Sequence, residues 1–309
     1  MAYDTPQDLT SAEATGFNAD KPLMVVQQAG NPSEAHWTVT GNLTGTDVTL
    51  PAEPAARAYD DIGNLVTSTT GVASTSPKYY GFTFSTGITF DTFAILGHNF
   101  ASTELTSAAL EIADDAAFGT NKIEIAKWTR GSVTVDDRIL ITNLNSAGGS
   151  STYSEGGTAQ RYSNVQYARL VVTHSGSKDP ELGEIILGYR YQLQRNPDLP
   201  WNNKAQASAV TDFVSNTGML KRYVLNRGKA ARSFRSSMGA AAEIAVIDAW
   251  FAATEEGTRN FVYIETPSSS PKAYLMAMVD SALNFPLVGP FERVLEFAMT
   301  EQPPFLARE

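Results

Sequence analysis

Through the first two-thirds of the chain, apolar and polar residues alternate in short runs, with clusters of Gly, Asn, Pro, Ser and Thr between them. A period of two marks a strand with one face in a core. Residues 23–26, 35–40 and 47–50 are predicted as the opening strands. Residues 51–78 read as an irregular loop with a short strand at 64–66. The stretch 81–100 is the strongest. Phe82 and Phe84 alternate with Thr83 and Ser85, and a turn is expected at Thr86-Gly87. Ile88, Phe90 and Phe93-Ala94-Ile95-Leu96 then form a second strand, apolar on both faces as a central strand is. Gly97 stops it, and His98-Asn99 turn the chain outward. Further strands are expected at 108–113, 122–128, 165–174 and 182–188, with a turn at 114–120. Residues 132–135 and 138–141 read as a hairpin about Asp136-Asp137. Closely spaced strands without helices between them imply an antiparallel sandwich or jelly roll.

Past residue 195 the pattern changes. Arg195 to Asn203, broken by Pro197 and Pro200, reads as a linker. Strands are expected at 210–214, 220–225 and 232–236. Residues 240–253 are dense in helix formers, and Ile244, Ile247 and Phe251 fall on one face. With Ser237 as N-cap and Gly257 as stop, the helix spans about 238–255. Strands follow at 261–264, 273–279 and 294–299. The expected fold class is therefore mainly β, with three regions. Residues 1–22 form an arm, 23–195 an N-terminal antiparallel β-sandwich, and 196–309 a smaller β-rich domain with one α-helix.

The totals narrow the function classes. A chain of 309 residues can bury a core without staples. The absence of cysteine excludes disulfides and thiolate metal sites. A net charge of −10 argues against a general nucleic-acid binder. No apolar run reaches the roughly 20 residues of a membrane span, and residues 1–6 carry no signal-peptide pattern. A protein made in the cytoplasm, with no membrane partner, is expected.

Enzyme signatures do not occur: there is no Gly-x-Ser-x-Gly and no phosphate-binding Gly-rich loop. His36, His98 and His174 lie far apart, so a zinc site has no support. Asp60-Asp61, Asp114-Asp115 and Asp136-Asp137 sit where turns need Asp for backbone reasons. Asp114-Asp115 lacks the oxygen-ligand spacing of a calcium loop. Trp37 and Trp128 read as core rather than as sugar platforms. Neither catalysis, a metal nor a cofactor is expected. One charge feature stands apart: Lys221, Arg222, Arg227, Lys229, Arg232 and Arg235 have no acid among them. They read either as a solvated strand face or as a surface meeting acidic neighbours, with DNA contact ranked third.

Three segments in order, Phe93 to Asn99, Ala168-Arg169-Leu170-Val171-Val172 and Leu182-Gly183-Glu184-Ile185-Ile186-Leu187-Gly188, carry a resemblance. Together they resemble a discoidin-type (galactose-binding-like) β-sandwich of the kind found in tail and virion proteins of tailed bacteriophages. The resemblance covers about residues 20–195. It implies that Gly97, Gly183 and Gly188 allow close packing at strand ends, and that His98 and Asn99 tie a loop. The order of elements after residue 196 is similar to the tube-like domain of tail and distal-tail proteins. A structural component of a phage tail follows as the leading expectation: a homo-oligomeric ring in the virion, contacting other tail proteins and made in the host cytoplasm. The alternative is a carbohydrate-binding module that recognises a host-surface glycan. An enzyme acting on surface polysaccharide ranks third.

Overall fold

The computed structural model describes residues 7–8, 21–28, 37–38, 67–68, 78–96, 105–129, 139–144, 162–174, 181–182, 184–193, 196, 202–206, 210–214, 220–224, 229–238, 241–265, 272–279, 283 and 293–301. The strands are β1 (Gln7–Asp8), β2 (Leu23–Gln27), β3 (Trp37–Thr38), β4 (Thr67–Ser68), β5 (Lys78–Phe90), β6 (Thr92–Leu96), β7 (Leu105–Ala113), β8 (Ile123–Thr129), β9 (Ile139–Asn143) and β10 (Tyr162–His174). They continue with β11 (Glu181–Leu182), β12 (Glu184–Gln192), β13 (Asn202–Gln206), β14 (Val210–Val214), β15 (Leu220–Val224) and β16 (Lys229–Met238). Helix α1 (Ala241–Ala253) follows, then β17 (Phe261–Glu265), β18 (Lys272–Met278) and β19 (Arg293–Glu301). The fold is mainly antiparallel β with a single helix among the described residues, as the periodicity predicts.

A 5-stranded sheet, in the order β3-β5-β10-β7-β8, packs on a 10-stranded one, in the order β13-β16-β19-β18-β17-β2-β12-β6-β9 with β1 beside β18. Tyr80, Phe82 and Phe84 of β5, Leu110 and Ile112 of β7, and Ala168, Leu170 and Val172 of β10 share one core with Phe93 and Ile95 of β6 and Ile185 and Leu187 of β12. Trp128 lies in that core, its ring centroid 5.2 Å from that of Phe93. This is the sandwich.

Helix α1 covers another part of the same sheet. Ile247 and Trp250 pack on Met24 and Val26, Phe261 and Tyr263, Tyr274 and Met276, and Leu295, Phe297 and Met299. Directly opposed residues of antiparallel strands share a face. Through the pairs Phe93↔Leu187 and Tyr191↔Met24, the sandwich core and the helix core therefore lie side by side on one face of the large sheet. The alternate residues, Leu23, Val25, Ala94, Leu96, Ile186, Val262, Ile264 and Leu275, form a third buried cluster on the opposite face. Strand β2 is the seam, pairing with β12 on one side and β17 on the other.

Several local expectations change. No turn forms at Thr86-Gly87, because β5 runs unbroken to Phe90. Opposite it, β10 shifts register twice between Tyr162 and Tyr167, with Asn164 at φ 56°. A Cβ at Gly87 would collide with Asn164, so the glycine admits a bulge rather than a turn. The break comes at Asp91, where the chain leaves one sheet for the other. The Asp91 carboxylate accepts hydrogen bonds from the Arg190 backbone N–H at 3.0 Å and the Thr92 hydroxyl at 3.1 Å, and it lies 3.3 Å from Arg190 Nε. The Asp91 main chain completes the corner: its N–H donates to Gly188 O and its carbonyl accepts from Leu144 N–H.

The last two residues of the expected linker, Asn202 and Asn203, begin strand β13, which pairs with β16. Ser237 lies within β16 and is not an N-cap. The buried stripe of α1 runs through Glu243, Ile247 and Trp250 and on to Thr254 just past its end, with Ile244 half-buried beside it. The large indole sets the rotation. Glu255 and Glu256 adopt left-handed φ values, and Gly257 follows at φ 82°, so the helix unwinds over three residues before the glycine expected as its stop. The predicted strands at 47–50, 64–66 and 132–135 lie outside the described residues.

Candidate functional site

The alternation that sends Ala168, Leu170 and Val172 inward sends Tyr167, Arg169, Val171 and Thr173 to the outer face of the five-stranded sheet. Register then gathers residues far apart in sequence. Arg169 stands opposite Gly81 on one side and Glu111 on the other. Tyr167 stands opposite Thr83 and Ala113, and Val171 opposite Tyr79 and Ala109. Gly81, Ala109 and Ala113 are small and buried, Arg169 between them is buried as well, and the tyrosines stay half-exposed.

The Arg169 Nε–H donates to Glu111 Oε2 at 2.7 Å, and its Nη2 lies 2.6 Å from the same oxygen. Lys122 Nζ lies 3.4 Å from Glu111 Oε1. The guanidinium carbon sits 4.7 Å from the centroid of Tyr79 and 4.2 Å from that of Phe118. Cation–π contact with two rings and a charge-assisted pair with one carboxylate fix the side chain in place. Tyr79 and Tyr167 are half-buried.

Phe118 reaches this face from the turn at 114–120. The Asp115 carboxylate accepts backbone N–H bonds from Ala117 at 2.8 Å, Gly119 at 3.3 Å and Thr120 at 2.6 Å. The Thr120 bond chiefly, with those of Gly119 and Ala117, holds its carboxyl below the ordinary 3.8 against the opposing effect of desolvation. Asn121 donates to Asp114 at 2.5 Å. This network holds Phe118 at φ 56° and folds its ring back on Arg169. The Asp114-Asp115 pair serves the turn, and no group of three metal-ligating side chains occurs among the described residues. On the core side of the same sheet, burial pushes the Tyr162 phenol up.

Of the site residues singled out from sequence, those described fall on three strands, β12, β15 and β16. Gly97, His98, Asn99, Gly183 and Arg227 lie outside the described residues. Lys221 and Arg222 fall in β15, and Lys229 and Arg232 in β16. Arg235 pairs across the strands with Glu296 of its own chain at 3.0 Å, both side chains open to solvent. Gly188 stands in the middle of β12 and not at a strand end. A Cβ there would collide with Val25 and press on Ile186 Cγ2 at 3.1 Å. Of the outer-face cluster, sequence reading singled out Asp114-Asp115 as turn residues, and Arg169 only as part of the segment that carries the resemblance. Its one signal was a polar Tyr-x-Arg alternation inside an otherwise apolar strand.

No protein-family model matches the chain, and no curated protein does. Among solved structures, a chitosan-binding module of the chitosanase/glucanase from Paenibacillus sp. IK-5 is similar over 53% of this chain and 98% of its own, at 14% identity and a TM-score of 0.34. CBM32-1 from a family 31 glycoside hydrolase of Clostridium perfringens covers 52% of this chain and 96% of its own, at 13% identity and 0.34. An F5/8 type C domain from Bacteroides fragilis covers 53% and 96%, at 16% identity and 0.32.

Proposed function

We propose that this chain is a non-catalytic recognition protein whose sandwich half binds a carbohydrate. The observation that carries this reading is the outer face of the five-stranded sheet, where Tyr79 and Tyr167 flank a fixed Arg169–Glu111 fork. A sugar ring presents C–H groups on its faces and hydroxyls around its rim. Aromatic side chains suit the first, and a few fixed polar groups suit the second. Thr83, Ser107 and Thr173, all half-buried, add hydroxyls at the margins of the same face. The ring-forming role in a phage tail, expected from the resemblance, draws nothing further from the described residues.

Retention of the full chain in native gels cast with a panel of polysaccharides tests the reading. Retardation by at least one of them, lost in Tyr167→Ala and kept in Tyr167→Phe, is expected. A chain that migrates freely through every gel overturns it.

A further inference from the structure

We infer that the glycan taken by this face is uncharged, an inference that rests on the reading above. Every charged side chain that the described residues place on the sheet's outer face is paired with another on that face. Arg169 and Lys122 share Glu111, and Lys127 lies 3.1 Å from Glu124. Arg169 is spent further, its guanidinium carbon lying over both the Tyr79 and the Phe118 ring.

A uronate or sulfated sugar needs a cation with hydrogen bonds to give. To reach Arg169 it would have to displace Glu111 and leave that carboxylate, only 12% exposed, without its partner, and the half-exposed Lys122 and Lys127 each already face a carboxylate. Asp114 and Asp115 stand in the turn beside the face, and the molecule carries a net charge of −10, so a polyanion meets like charge on approach. Besides these exposed ion pairs, the face presents aromatic and hydroxyl-bearing groups: Tyr79, Tyr167, Thr83, Thr173 and Ser107. These groups match neutral hydroxyls and ring C–H, and nothing among them rewards a negative charge.

The full chain is run through native gels containing neutral polysaccharides (galactomannan, mixed-linkage glucan, xyloglucan) or polyuronates (alginate, polygalacturonate), in salt from about 0.01 M to about 1 M. Retardation by a neutral polymer that does not change with salt is expected, with binding about tenfold weaker in Tyr167→Ala. Tyr167→Phe, which keeps the ring, controls for folding. Retardation by a polyuronate alone, fading as salt rises, overturns this inference and leaves carbohydrate recognition standing. Free migration in every gel overturns the reading on which it rests, and the inference with it.

Discussion

At Arg169 three kinds of contact meet on one side chain: a carboxylate pair, two aromatic rings and a central strand position. Replacing it with Met keeps most of the stem's packing but strands Glu111 with only Lys122. A loss of about 2 kcal/mol in denaturant unfolding is expected, less than for a fully sealed pair. Asp115 makes a pH-dependent prediction. Its folded carboxyl titrates below 3.8, so the stability it adds is fully present above that value and disappears as pH falls through the lowered one. The stability difference between wild type and Asp115→Ala, measured along a pH series, should close only at the acid end. Gly188 is constrained by space alone, since a methyl group would enter the volume of Val25. Gly188→Ala should cost about 2 kcal/mol, and adding Val25→Ala should return part of it. The residues of the outer face were individually visible in the sequence, but their meeting was not. Tyr79, Glu111, Phe118 and Arg169 come together only through strand register, which alternation within one strand does not fix.

Elements were legible wherever alternation or a short apolar run was clean: β2, β7, β8, β10 and the three strands after α1 fall close to where the pattern puts them. The errors share a cause, in that a residue with one familiar use served another. Gly87 looks like a turn and is the space opposite a bulge. Asp91 looks like an ordinary polar interruption and is a buried corner, which holds the passage between sheets through Arg190 and Thr92. Asp91→Ala should lower stability by about 3 kcal/mol and release the Arg190 amide early in hydrogen exchange. For α1, heptad-like spacing pointed to Ile244, whereas volume decides in favour of Trp250, which lies edge-on to Phe261 at 5.1 Å. Trp250→Ala should cost about 4 kcal/mol. Ile244→Ala, at a half-buried position, should cost clearly less in the same unfolding experiment.

Across the whole molecule, the two halves read from sequence share one sheet. Strand β2 belongs to the first by chain order and hydrogen-bonds to both. Composition shifts near residue 196 are real, but they mark where the covering layer changes from a second sheet to a helix, while the sheet beneath continues. Cutting the chain after residue 195 should leave β17 without β2 and bare the apolar edge formed by Val262 and Ile264. Purified separately, 196–309 should aggregate, and co-expression with 1–195 should restore a soluble pair in size-exclusion chromatography. The seam also sets a schedule for synthesis. The side chain of Gln27, at the end of β2, holds Ile185 O at 2.7 Å and Leu187 N at 2.8 Å, across 158 and 160 positions of sequence. A ribosome delivers β2 long before either neighbour exists, so this apolar strand must wait, uncovered, until nearly the whole polypeptide has emerged. Closure of the central sheet is then among the last events of folding, and a stalled or truncated translation product is left holding its stickiest strand in the open.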